Sequence, residues 1–231
     1  MNDIQRMIDR LSAIKKRIAN AASACGRSPE DVRLVAVGKT QPAERVRQAI
    51  LSGADIIGEN YIQEAREKFD QLAQLTVQWH FIGHLQRNKA KFAVRMFDLV
   101  HTVDSLRLAR ELDHQAYKIN KIQPILIQVN ISGEPSKSGT DEAQTLDLAQ
   151  NLRNLKNLRL QGLMTMPPYF DAPEKARPFF RALRKLRDRL EGQLDIALRE
   201  LSMGMTGDFE VAIEEGATLV RIGTALFGAR Q

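Results

Sequence analysis

The sequence predicts an α/β chain folded as a single (β/α)8 TIM-type barrel with an extra N-terminal helix. Three observations carry this expectation. Eight short β-rich runs alternate with amphipathic stretches from residue 32 to the end. Several of those runs, such as Ile125-Leu126-Ile127-Gln128-Val129, are almost continuously apolar, as strands are when helices cover one side and a packed interior the other. The length of 231 residues is what one barrel occupies, so a single domain over 1–231 is expected, with a leader helix at 1–25 and the barrel at 32–231.

The leader helix is read from Ile4, Met7, Ile8, Leu11, Ile14 and Ile18 at helical spacing, with Asp3, Arg6, Asp9, Arg10, Lys15 and Lys16 between them. Those charges interrupt the apolar centre that a signal peptide would need. Strands are expected at 33–37, 56–58, 79–82, 99–103, 124–129, 159–164, 201–203 and 219–222. Helical stretches are expected at 44–51, 62–75, 105–119, 143–155 and 174–190, each long enough to cross back over a parallel sheet. Pro167-Pro168 ends the sixth strand unit. An open doubly wound sheet would carry a glycine-rich phosphate loop after its first strand, and none is present there.

Composition narrows the function classes. Hydrophobic residues are 43% and charged residues 27%, the balance of an ordinary globular protein. A single cysteine, Cys25, excludes an internal disulfide and a multi-cysteine zinc site, and fits a reducing compartment. No apolar run approaches the roughly 20 residues that span a bilayer, so a cytoplasmic protein without membrane contact is expected. The net charge of +6 raises nucleic-acid binding as a reading, with a steep salt dependence as its mark. The charges are dispersed, however, and Arg181, Arg184, Lys185, Arg187 and Arg189 share a helix with Leu183, Leu186 and Leu190, as on a solvated face. No nucleic-acid partner is expected.

Chemistry-bearing residues gather at strand ends. Lys39 follows Leu34-Val35-Ala36-Val37-Gly38, which places it at the C-terminal end of the first strand, the face on which barrels build sites. A lysine amine forms an imine with an aldehyde, and partial desolvation there favours its reactive form. Gly38-Lys39-Thr40 echoes a phosphate-binding P-loop, but Arg33 stands where that loop requires glycine. After the seventh and eighth strands come Ser202-Met203-Gly204-Met205-Thr206-Gly207 and Arg221-Ile222-Gly223-Thr224. Barrels often bind phosphate with these two loops and the start of a short extra helix, for which Thr224-Ala225-Leu226-Phe227-Gly228 supplies the turn. Arg221 lies in an apolar strand and requires a partner there, and it is expected to face the mouth. Asn60 ends the second strand on the same face, or caps the next helix. His80 and His84 have i, i+4 spacing, but Phe81 replaces the glutamate of a zinc-protease motif and the segment reads as strand, so no metal site is expected. Met164, Met166, Met203 and Met205 read as packing or mouth lining.

Taken together, Leu34 to Thr40, Gly58-Glu59-Asn60-Tyr61, His80 to Lys89, Gly162 to Met166, Ser202 to Met205 and Val220 to Thr224 resemble the pyridoxal phosphate homeostasis protein family, relatives of the barrel domain of bacterial alanine racemase. The resemblance covers essentially the whole chain. It implies that Lys39 carries pyridoxal 5′-phosphate as a Schiff base. It further implies that Ser202, Gly223 and Thr224 receive the phosphate, that Asn60 lines the pocket, and that Arg221 lies near the pyridine ring. Gly38 stands where many members have serine, and Ile57 where many have phenylalanine. A fixed cation beside the ring nitrogen disfavours its protonation and weakens the ring as an electron sink. Racemases of this kind take a second base, a tyrosine, from an additional domain of a partner subunit, and no such domain is expected after the barrel here.

The expectation is therefore a pyridoxal phosphate-binding protein of vitamin B6 homeostasis and amino-acid balance. It would act as a monomer that buffers the cofactor or delivers it to apo-enzymes, without appreciable catalysis. The alternative is a pyridoxal phosphate-dependent amino-acid racemase or lyase, with Lys39 as base on one face and Tyr61 or His84 on the other.

Overall fold

The computed structural model describes residues 3–134 and 137–228. The ends of the expected domain, residues 1–2 and 229–231, lie outside the described residues. All eight expected strands form, each within a residue of its place: β1 Arg33–Val37, β2 Ile56–Glu59, β3 Gln78–Phe81, β4 Leu99–Val103, β5 Gln123–Gln128, β6 Leu158–Met164, β7 Glu200–Ser202 and β8 Leu219–Ile222. They are parallel and hydrogen-bonded in chain order, and β8 returns to β1 to close the barrel. Helices α1 Asp3–Ala24, α2 Ala43–Leu51, α3 Ile62–Gln71, α4 Ala90–Met96, α5 Leu106–Lys118, α6 Glu142–Leu152, α7 Arg177–Leu194, α8 Phe209–Glu214 and α9 Thr224–Phe227, with 3-10 turns at Pro29–Asp31, Arg87–Lys89 and Pro173–Ala176, complete the described elements.

Period-two alternation divides the strand residues between two cores. Val35, Ile56, Leu99, Leu126, Met164 and Leu219 pack together inside the barrel. Their neighbours Ala36, Ile57, Val100, Ile125, Ile127, Val220 and Ile222 point outward and pack under the helices. Helix α1 lies against α8, α9 and α2, burying Met7, Leu11, Ile14, Ile18, Ala21 and Ala22. Ile4 and Ile8, expected on that buried stripe, are instead exposed.

Three expected helical stretches depart by more than a residue, the 143–155 stretch stopping at Leu152. The 62–75 stretch ends at Gln71, because Leu72 leaves helical geometry (φ −113°, ψ 12°) and buries its side chain from a turn. The 174–190 stretch opens as a 3-10 turn at Pro173–Ala176 and runs on to Leu194, where Asp195 takes a left-handed conformation (φ 49°) and stops it. The basic face of α7 is paired as well as solvated: Arg177, Arg181 and Arg184 converge on Glu215 of the turn after α8, and Arg189 reaches Glu142. None of the helices is long and apolar enough to cross a membrane, among the described residues.

Candidate functional site

Lys39 occupies the turn that follows β1 and is half-buried. The peptide groups on both sides of it are held by α3. Lys68 Nζ donates to Gly38 O at 2.7 Å, and Thr40 N donates to Glu64 Oε2 at 2.9 Å, which fixes Thr40 at φ 62°. The same Lys68 ammonium donates to Glu59 Oε1 at 2.7 Å, forming an ion pair in which Glu59 is fully buried and the Lys68 side chain is 6% exposed. Burial pushes the Glu59 carboxyl up to about 7, outweighing the opposing attraction of Lys68. Its second oxygen, Oε2, is buried without a partner. Lys68 was not anticipated, although a signal existed: it continues the buried Ile62, Ala65 face of α3 at three-residue spacing, where an unpaired lysine would not be tolerated.

Barrel closure brings the ends of the sequence to this lysine. β1 and β8 pair with Val35 opposite Arg221 and Ala36 opposite Ile222. One step further along, Gly223 lies beside Val37: a Cβ built on the glycine would meet Val37 Cβ at 3.4 Å and its carbonyl oxygen at 3.5 Å, an ordinary contact distance. Lys39 thus leaves its strand beside Gly223 and Thr224, which open the single turn of α9. Thr224 is exposed and Gly223 half-buried.

Arg221 is 3% exposed, within the barrel. Its Nη1 donates to Ser202 Oγ at 2.6 Å and its Nη2 to Thr165 O at 2.9 Å. Among the described residues no carboxylate pairs with it, and burial pushes its guanidinium down to about 10, with Asp208 opposing from a distance. Ser202 is itself fully buried, and its Oγ lies 2.8 Å from His101 Nδ1, whose Nε2 in turn lies 3.0 Å from His80 Nδ1. Burial first, then the nearby Arg33, pushes His80 down to about 3. His101 is held well below the ordinary range by burial, then by His80, Arg221 and Arg33. Both rings are therefore neutral at physiological pH. His80 stands here in a role other than the metal ligand its spacing raised, and His101 joins it unforeseen; the alternation of β4, which places His101 on the inner face with Leu99, is the signal in the sequence.

Asn60 follows β2, and one end of its side-chain amide, Oδ1, is buried without a hydrogen-bond partner. Gly83 fixes this segment by close approach: a Cβ there would fall 2.1 Å from Asn60 O, so only glycine lets the two strand ends meet. Thr102 Oγ1 donates to Gly83 O at 2.6 Å and secures the contact from β4. Tyr61 is exposed at the start of α3, and His84 is exposed, 3.9 Å from Asp104. Met164 and Met203 are fully buried, whereas Met166 is exposed. No three His, Cys, Asp or Glu side chains gather as a metal site among the described residues. A cavity of ≈ 840 Å³ lies at the opposite end of the barrel, under α1, away from Lys39.

An eight-stranded parallel barrel with a lysine closing β1 and a glycine–threonine turn after β8 defines the class of alanine racemase N-terminal barrels, and the family model described as "Alanine racemase, N-terminal domain" matches residues 10–231. Within that class the chain belongs to the pyridoxal phosphate homeostasis protein family. It is 45% identical to the pyridoxal phosphate homeostasis protein of Aquifex aeolicus over 96% of this chain and 98% of that protein. It is 43% identical to the Escherichia coli protein of the same name over 100% of this chain and 98% of that one. Among solved structures, PipY of Synechococcus elongatus with PLP bound superposes with a TM-score of 0.85 at 33% identity, covering 96% of this chain and all (100%) of that one. An alanine racemase of Clostridium difficile superposes with a TM-score of 0.75 at 15% identity over 96% of this chain and 57% of that one, a likeness of fold alone.

Proposed function

We propose that this chain binds pyridoxal 5′-phosphate reversibly through a Schiff base on Lys39 and buffers or delivers it in the cytoplasm, in vitamin B6 homeostasis and amino-acid balance, without appreciable catalysis. The observation that carries the reading is barrel closure, which brings Gly223, just after β8, next to Val37, two residues before Lys39. An aldehyde-reactive amine and an anion-suited turn thereby share one rim. The family supports it, since the relatives carry the homeostasis name and PipY holds PLP.

The residues fit the cofactor on grounds of their own. The buried amide oxygen of Asn60, which has no hydrogen-bond partner among the described residues, suits a polar ring substituent that donates a proton. The buried Arg221 cation suits an electron-rich ring nitrogen. Gly223 and Thr224 offer backbone N–H groups and a hydroxyl to the phosphate. Ser202 Oγ accepts from Arg221 and lies against His101, so its first contribution is to hold Arg221, and its hydroxyl joins this phosphate set only when its proton is not donated to His101. When bound, the cofactor supplies an electrophilic aldehyde and a conjugated ring. The protein's part is to present the Lys39 amine from a turn clamped by Lys68 and Glu64, and to keep a cation beside the ring that does not hand over a proton. Tyr61 and His84, the partners of a racemase or lyase reading, are both exposed, which favours the carrier. The recipients proposed are PLP-dependent apo-enzymes, and a monomer that binds no nucleic acid suffices for that role.

Borohydride reduction of the PLP-loaded protein followed by peptide mass mapping tests the anchor. The pyridoxyl group is expected on Lys39; its recovery chiefly on another lysine overturns the assignment. Recovery of activity when the loaded protein is mixed with a PLP-dependent apo-enzyme tests delivery. Steady turnover of an amino-acid panel that disappears in Lys39→Ala would replace the carrier by an enzyme.

A further inference from the structure

A line of buried hydrogen bonds runs through the barrel from one end toward the other. It starts at His80, which lines a cavity of ≈ 420 Å³ at the N-terminal end with Arg33, Asp98 and Glu200. It continues through His101 and Ser202 to Arg221 and ends on the carbonyl of Thr165. All four side chains are at most 3% exposed. Four polar side chains buried in contact inside the barrel, among Val35, Leu99, Leu126, Met164 and Leu219, require that their donors and acceptors be matched.

Proton counting fixes the direction of this line. Arg221 can only donate, so Ser202 Oγ accepts from it. Each neutral imidazole carries one N–H, and His101 uses both ring nitrogens, one toward Ser202 and one toward His80. If His101 donated from Nδ1, Ser202 would receive two hydrogen bonds and its own proton would need a third neighbour, and no such neighbour bonds it among the described residues. The matched arrangement has the Ser202 hydroxyl donating to His101 Nδ1, His101 Nε2–H donating to His80 Nδ1, and the remaining His80 N–H turned toward the basal cavity. Withdrawal of the serine proton toward His101 makes Oγ a better acceptor, which tightens its hold on the guanidinium.

We propose that His101, backed by His80, is a positioning residue for the cofactor site: it takes the Ser202 proton in a hydrogen bond and so locks Arg221 in the place from which it meets the ring of the bound cofactor. The inference deepens the function proposed above and rests on it for the identity of the ligand. The tautomer itself is a property of the protein alone.

Long-range proton–nitrogen NMR correlations of the rings read the tautomer directly, and with four histidines in the sequence the spectrum is assignable. In the ligand-free protein His101 is expected protonated at Nε2 and bare at Nδ1, and the same tautomer is expected after PLP is added. A proton on Nδ1 in either state overturns the proposal, and in the loaded state would show instead that the phosphate has claimed the Ser202 hydroxyl. Two near-isosteric variants then separate the arms of the ring. His101→Asn keeps an acceptor toward Ser202 and is expected to bind PLP within about threefold of the parent, whereas His101→Gln keeps only the His80 side and is expected to bind about tenfold more weakly, the loss of one buried hydrogen bond. Equal affinities for the two variants overturn the proposal. If His101→Gln does not fold, the parent spectra decide alone. If PLP does not bind the parent at all, the cofactor reading fails while the ligand-free spectrum still tests the relay.

Discussion

Replacing Glu59 by glutamine should flatten the pH dependence of stability. In the folded chain the Glu59 carboxyl is raised from 4.5 to about 7, chiefly by burial, so the folded state holds this proton more tightly than the unfolded chain. The contribution to stability is fully present below about 4.5 and is lost as pH rises through about 7. The difference between about 7 and 4.5, at about 1.4 kcal/mol per pH unit, amounts to about 3.5 kcal/mol. For a chain of this size that is roughly 7–14 °C of melting temperature. Thermal melts of the parent and Glu59→Gln from pH 4.5 to 8 provide the assay, and the difference between the two curves isolates Glu59 from every other titration. A difference that stays constant across this range would refute the reasoning, and one that grows in favour of the parent at high pH would reverse its sign. Because Lys68 also holds Gly38 O, ionisation of Glu59 redistributes the donors that fix the peptide before Lys39.

Three further outcomes are expected. Gly83→Ala places a methyl 2.1 Å from Asn60 O and should destabilise the chain by about 3 kcal/mol or more in urea unfolding, since backbone on both sides must move. Glu215→Gln should destabilise by about 2 kcal/mol, by dispersing Arg177, Arg181 and Arg184, and more so at low salt. Burial alone would raise the Glu215 carboxyl, but hydrogen bonds from Arg181 and Arg177 prevail and lower it, so this contribution is present above the usual carboxylate range and lost as pH falls, opposite to Glu59. Asn60→Ala should weaken PLP binding by about 3- to 10-fold in a fluorescence titration while leaving the melting temperature nearly unchanged, because the amide oxygen it removes has no partner among the described residues.

Local patterning made much of this protein legible in advance. Apolar runs of strand length alternating with helical faces carry the eight βα units, because burial on two sides or one leaves a different period in the chain. The place of Lys39 follows equally, since a lysine that ends an apolar run must stand at the rim. The basic α7 was read as a solvated face, and its pairing with Glu215 was not legible because the acid lies after the next helix and nothing local couples the two.

The sequence by itself determined the count and order of the strands, the rim lysine, and the glycine and threonine that follow the last strand. Only the tertiary structure decided that Gly223 lies against Val37, that Glu59 accepts from Lys68 in a buried pair, and that His80, His101, Ser202 and Arg221 join in one line. The physical reason is closure. Hydrophobic periodicity tells each strand which face is inside, but which inward side chains meet depends on the register at every strand pair and on β8 returning to β1, a condition set by the whole barrel at once.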